Sequence, residues 1–246
     1  MNSKFQISSE ETNNRQSLYF VGGVAAISTI LVGLVEIMIT FFPGGNVSSD
    51  TVFDWFLLFQ QNPFMGLRNL GLLNIFFNAF GILTFFSLFA ALRRTNQTLA
   101  ALAMIVSFIG IAVFFATNRA FAMLAVSHQY SLATTEAQRT ILAGAGQALL
   151  AVGQSHTPGT FLAFFLSESA GILMSICMLG GKVFSKTNAI VGILGFGMLL
   201  IFEISASFAF SLQGKVMILA MMGGLLSLVW DILIAKKLFQ LSKIGA

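Results

Sequence analysis

Six ionisable side chains, Glu36, Arg68, Arg119, Glu168, Glu203 and Asp231, stand alone inside apolar runs long enough to cross a lipid bilayer. A charge in hydrocarbon costs about 2.5–3.5 kcal/mol even on the scale drawn from translocon insertion, so each needs a partner, a hydrated cavity or a function. Carboxylates so placed can accept or donate protons. Guanidiniums grip anions and head groups through paired N–H donors. Neutral amides such as Asn74 and Asn78 orient a ligand by hydrogen bonding. The chemistry is expected inside the membrane.

Spacing says which way these side chains point. Gly22, Ala26, Thr29, Gly33, Glu36 and Thr40 form one stripe, and Arg68, Gly71, Asn74, Asn78, Gly81 and Thr84 another. Glu168, Gly171 and Ser175 form a third, and Ala220, Gly224, Ser227 and Asp231 a fourth. Steps of three and four residues keep each set on one helical face, and small residues mark the face that packs on other helices. The charges are therefore expected to point inward.

At a rise of about 1.5 Å per residue, Glu36, Arg68 and Arg119 fall roughly 6–12 Å from the outer ends of their spans, and Glu168 and Glu203 roughly 13–15 Å. Three carboxylates and two guanidiniums are thus expected to meet in the outer leaflet, with a near-neutral balance. Two readings stay open. Arg68 with Glu36 and Arg119 with Glu168 are structural ion pairs, or the group lines a hydrated pocket, with Glu168, Glu203 and Glu36 as the candidate acids. Asp231 lies nearer the other side, within two turns of Lys236 and Lys237, and is expected to pair with them.

Composition fixes the class. Of 246 residues, 57% are hydrophobic and 9% charged, with a mean hydropathy of +0.88. Soluble domains carry about 25% charged residues, so a polytopic membrane protein is expected. The 27 Phe suit lipid-facing and core positions, and the 23 Gly suit close helix approach. A pI near 9.5 invites a nucleic-acid reading, but the basic residues mostly flank apolar runs and act as topology signals, so no nucleic acid is expected. The lone Cys177 excludes a disulfide within the chain and a cysteine metal cluster. The first apolar run is too long for a cleavable signal, and none is expected.

Six spans follow, at about 17–42, 64–92, 98–127, 158–180, 188–212 and 216–239. They give a polar tail (1–16), a single all-α six-helix transmembrane domain (17–240) and a short tail (241–246). With the N-terminus inside, Lys4, Arg15, Arg93, Arg94, Lys182, Lys186, Lys236, Lys237 and Lys243 lie on the cytoplasmic side, and only Arg139 and Lys215 outside. The bias puts both termini in the cytoplasm, at the plasma membrane.

Two outer connections carry helices of their own. Asp50 to Gln61 places Val52, Phe53, Trp55, Phe56, Leu57 and Phe59 opposite Asp50, Asp54 and Gln61, an amphipathic helix suited to the interface. Asn62-Pro63 then offers a cap and a first-turn proline for the second span. Between His128 and His156, Thr134 and Glu136 start a helix whose Ile141, Leu142, Ala145, Leu149 and Val152 recur at helical spacing. Thr157-Pro158 starts the fourth span, and no internal repeat supports an inverted-repeat transporter.

Motifs of known intramembrane chemistry are missing. No G-x-S-x-G or H-E-x-x-H occurs, no His lies within a span and no Lys lies mid-span. His128 and His156 are expected to be loop residues; Glu168 lies about 18 Å along the helix from His156, too far to share a metal. Neither metal nor cofactor is expected.

The run Asp54-Trp55-Phe56, Gln60, Asn62-Pro63 and Gly66-Leu67-Arg68-Asn69 resembles bacterial multi-pass proteins grouped as domain of unknown function 4386. So does the run Tyr130, Ala133 to Arg139 and Gly146-Gln147-Ala148-Leu149-Leu150. The resemblance extends from the first span to the last. It implies a six-helix membrane protein and carries no catalytic residues.

The sequence thus supports a membrane protein with an outward-facing polar pocket that binds or moves a small polar or amphiphilic ligand. Arg68 and Arg119 are its expected anion or head-group contacts, Glu36, Glu168 and Glu203 their counter-charges or proton acceptors, and Asn74 and Asn78 its neutral hydrogen-bonders. Two other classes stay open: a membrane-embedded enzyme using buried carboxylates on a lipidic or isoprenoid substrate, and an accessory or immunity-type protein. Membrane lipids are the expected surroundings, and the oligomeric state is left open.

Overall fold

The computed structural model describes residues 2–41, 51–153 and 156–243, and among them the chain is all helix and turn. Six helices are long and apolar enough to cross a membrane. They are α1 (Asn2–Phe41), α4 (Leu72–Leu92), α5 (Gln97–Thr117), α8 (Phe161–Leu179), α9 (Lys186–Phe208) and α10 (Gln213–Lys243). Four shorter helices complete the fold: α2 (Val52–Gln61), α3 (Pro63–Asn69), α6 (Ala120–Leu132) and α7 (Glu136–Gly153).

The six long helices form a ring in chain order. α1 packs on α4, α4 on α5, α5 on α8, α8 on α9, α9 on α10, and α10 closes against α1. Each presents Leu, Ile, Phe and Met outward, among them Leu31, Phe86, Ile105, Ile176, Ile201 and Leu225. That is the surface a bilayer solvates. The inward face carries the small and polar stripes.

One end of the ring is sealed by an apolar core. Leu88, Leu92, Ala100, Met174, Met178, Ala189, Trp230, Ile234 and Leu238 pack there. Ser87 Oγ donates to Leu18 O at 2.9 Å, and Phe20 meets Phe239 edge-on, so the N-terminal half of α1 and the end of α10 lie on the same side. Arg93, Arg94, Lys182, Lys186 and Lys236 surround this end and are exposed. The predicted N-terminal tail is continuous with the first span, because α1 starts at Asn2.

The other end departs from the predicted spans. The predicted second span breaks at Gly71, whose φ of 94° lies in the left-handed region that glycine adopts without penalty. The third breaks at Asn118 and Arg119, where Asn118 takes an extended ψ of 132°. An unbroken helix from 97 to 132 would be about 54 Å long, well beyond a hydrocarbon core of about 30 Å. The two breaks meet: Asn118 Nδ2 lies 3.4 Å from both Leu70 O and Gly71 O, and its Oδ1 accepts from Ala120 N at 3.1 Å. One amide side chain thus satisfies backbone groups that both helices leave free, which a broken helix at membrane depth requires.

Beyond the breaks, α2, α3, α6 and α7 form a cap with its own core of Val52, Trp55, Phe56, Phe59, Leu70, Ala120 and Met123. Thr51 and Asp54 make a reciprocal capping box for α2, and Asn62 with Pro63 caps and opens a helix as expected, though it is the short α3 rather than the second span. The predicted amphipathic helix is α2, yet Val52, Trp55, Phe56, Leu58 and Phe59 are covered by protein, leaving Phe53 and Leu57 exposed. The expected face of α7 is rotated as well. Ile141 and Val152 are exposed, while Ala143, Leu149 and Leu150 pack on the cap. Gly146 sets that register, bringing α7 onto Val52 and Phe56. Asp50, the expected start of the first amphipathic helix, lies outside the described residues.

Candidate functional site

The ring encloses a cavity of about 120 Å³ to which all six spanning helices contribute. α8 supplies Glu168 and Ser167, and α10 supplies Asp231, Trp230 and Ser227. α4 gives Asn78 and Thr84, α1 gives Thr29, and α5 gives Ser107. Phe77, Phe85 and Phe196 close the wall between these polar groups. Trp230 lies 5.1 Å from Phe196 and 6.5 Å from Phe85, centroid to centroid, so three aromatic rings pack as one panel.

The electrostatics of this lumen are one-sided. Glu168 and Asp231 both line it, and no basic side chain among the described residues does. Asp231 is 8% exposed and makes no ion pair or hydrogen bond among the described residues. The predicted pairing of Asp231 with Lys236 and Lys237 is therefore wrong. One turn beyond Asp231 the helix enters the sealed end, so the aspartate turns into the lumen while Lys236 stays exposed. The stripe Ala220, Gly224, Ser227 and Asp231 carried that information, and the nearby lysines masked it.

The expected single cluster of five charges is divided among three places. Arg68, 3% exposed at its side chain, contacts Glu36 Oε1 at 3.0 Å and Asn69 Oδ1 at 2.9 Å. It sits in α3 rather than in a span, tying the cap to the end of α1. Arg119 donates to Ala116 O at 3.2 Å, where it helps terminate α5, and does not pair with Glu168. Helix breakage explains both: the predicted depths assumed unbroken spans, and each arginine lies at or beyond a break. Neither is a lumen residue, so their expected role as anion contacts in one pocket with Glu168 is not realised.

Glu203 forms the third place. It is 1% exposed, its Oε1 accepts from Ser207 Oγ at 3.2 Å, and its Oε2 lies 2.5 Å from His156 Nδ1. The imidazole lies tilted against Phe164, at 4.7 Å, and meets Phe202 edge-on, at 4.9 Å. His156 adopts a φ of 60°, an uncommon conformation for a residue with a side chain. It is therefore no free loop histidine. Nothing in helical periodicity could have placed it, since it enters the bundle from a connection.

A second, larger cleft of about 410 Å³ lies beside the lumen between α1, α4 and α10. Val32, Ile37, Met221, Leu225 and Leu228 make it apolar, and Glu36 and Asn74 bring polar atoms to its edge. Phe77 and Ser227 line both cavities, so the cleft and the lumen share a wall. Of the two predicted asparagines, Asn74 belongs to the cleft and Asn78 to the lumen.

The fold and these cavities define an all-α, six-helix membrane bundle around an acidic, aromatic-walled lumen. Comparison with protein-family models, with curated proteins and with solved structures returns no match.

Proposed function

We propose that this protein binds, and moves, a small organic cation or amphiphilic amine at its central lumen, in the plasma membrane with both termini in the cytoplasm. One observation carries the reading: Glu168 and Asp231 face one space whose other polar groups are hydroxyls and Asn78 and whose apolar walls are mainly aromatic, with no basic side chain among the described residues to balance them. An unmatched carboxylate in a low-dielectric site is costly, and a bound cation relieves that cost. Aromatic faces add attraction for an ammonium that has left its water, about 2 kcal/mol when desolvated.

Size points the same way. A cavity of about 120 Å³ suits a head group of a few heavy atoms. The adjoining apolar cleft offers room for a hydrocarbon tail. The sequence points to a small polar or amphiphilic ligand with Arg68 and Arg119 as anion or head-group contacts. The lumen reverses that sign, because both arginines are engaged elsewhere. The basic end of the ring supports the cytoplasmic assignment of the termini. The resemblance to the family of unknown function supplies no activity, so the proposal stands on the lumen.

Choline and dimethylbutanol, its uncharged carbon isostere, test the reading. Calorimetry on the protein in lipid nanodiscs should show saturable choline binding that Glu168→Gln with Asp231→Asn removes, and no binding of the isostere. Equal binding of both compounds, or of neither, overturns the proposal.

A further inference from the structure

The lumen lies one helical turn from a buried histidine–carboxylate pair that reaches solvent. Phe164, on whose ring His156 stacks, precedes Glu168 by four residues on α8. Leu199, a lumen residue, precedes Glu203 by four on α9. Residues four apart on a helix are neighbours, about 6 Å from one another. Glu203 is 1% exposed at its side chain and His156 39%, so the pair runs from the buried bundle to its surface. The other charges on the neighbouring helices are Glu168 on α8 and Asp231 on α10 in the lumen, Lys215 at the exposed start of α10, and Lys186 of α9 with Lys236, Lys237 and Lys243 of α10 towards the sealed end.

We propose that Glu203 and His156 form the proton path of the lumen, so that cation binding is an exchange for protons. This rests on the cation reading above. An empty lumen holds Glu168 and Asp231 without a counter-charge, which is tolerable only if protons neutralise them. When an ammonium ligand arrives, a carboxyl O–H bond of the lumen breaks and its electron pair remains on the carboxylate, facing the cation. The proton passes to a Glu203 oxygen, from there to His156 Nδ1, and the imidazole yields a proton to water at the bundle surface. Charge is conserved: one monovalent cation enters the lumen and one proton leaves. Ser207 holds the second oxygen of Glu203, and the two Phe rings hold the imidazole, so donor and acceptor stay aligned.

Choline titrated calorimetrically in two buffers of different ionisation enthalpy measures the exchange directly. The expected result is one proton released per choline bound. Choline binding with no proton release overturns the exchange and leaves the cation reading intact; absence of choline binding overturns the cation reading itself. Stopped-flow mixing with a pH indicator then tests the path. Glu203→Gln and His156→Gly should slow proton release by at least roughly tenfold, beyond any change in choline affinity. Imidazole added to His156→Gly should restore the rate, which a merely structural histidine would not allow. If His156→Gly fails to fold, Glu203→Gln alone decides. Proton release at the wild-type rate in a folded variant overturns the path.

Discussion

His156 combines a left-handed backbone with a side chain that is gripped on three sides, and these two features pull stability in opposite directions. Its φ of 60° costs a residue with a Cβ roughly 1–2 kcal/mol relative to glycine. Against this stand the contact with Glu203 and the packing on Phe164 and Phe202. A hydrogen bond to a charged partner contributes about 1.5–3 kcal/mol, and aromatic packing about 0.5–1.5 kcal/mol more. Because the imidazole is 39% exposed, the lower part of each range applies. Removing the ring by His156→Ala should therefore destabilise the protein by about 2–3 kcal/mol, with the strained backbone kept. His156→Gly removes the same ring but relieves the strain, and should be more stable than the Ala variant by about 1 kcal/mol. The order is wild type, then Gly, then Ala. Equilibrium unfolding in mixed micelles, followed by the fluorescence of Trp55 and Trp230, provides the comparison. An Ala variant as stable as the Gly variant would refute the strain, and one within about 0.5 kcal/mol of wild type would refute the grip of the ring.

Three further outcomes follow from the same geometry. A Cβ at Gly192 would overlap Ser175 Oγ and stand 2.5 Å from Trp230 Nε1, so Gly192→Ala should cost about 1–3 kcal/mol in melting experiments and weaken choline binding by displacing the Trp230 wall. Arg68→Met and Glu36→Gln should show a coupling of about 1–3 kcal/mol in a double-mutant cycle, and strictly additive losses would mean that the 3.0 Å contact carries no energy. Reporters inserted after Asn96 and after Lys186 should both read as cytoplasmic and one after Gly144 as external; the opposite pattern would invert the membrane orientation.

The spanning helices were legible because apolar length and small-residue stripes are local signals, and the inward turn of Glu168 and Asn78 follows from them. Two of the cap helices, α2 and α7, were legible as elements, α2 through its heavy apolar load and α7 through its start at Thr134 and Glu136, whereas α3 and α6 read as parts of spans. Their packing was not, because burial of α2 depends on α6 and α7, which arrive from 60 to 90 residues further along the chain. The breaks at Gly71 and Asn118 were hidden inside hydrophobic runs that read as continuous. Gly71 even counted as part of a packing stripe, and only the contact with Asn118 explains why the helix ends there. Those breaks moved Arg68 and Arg119 out of the depth at which Glu168 lies. Asp231 was misread for a different reason: two lysines close in sequence outweighed a correct stripe, although they follow at the sealed end of the ring, where Lys236 is exposed.

The cation proposed for the lumen sits between Glu168 and Asp231 against the aromatic panel. Arsenocholine, in which arsenic replaces the choline nitrogen, makes that position visible by anomalous diffraction from crystals of the full chain. A single strong arsenic peak is expected inside the ring, flanked by Glu168, Asp231 and the rings of Phe196 and Trp230, and it should disappear in the Glu168→Gln, Asp231→Asn protein. An arsenic peak beside Glu36 in the lateral cleft, or an empty lumen at saturating arsenocholine, would contradict that placement.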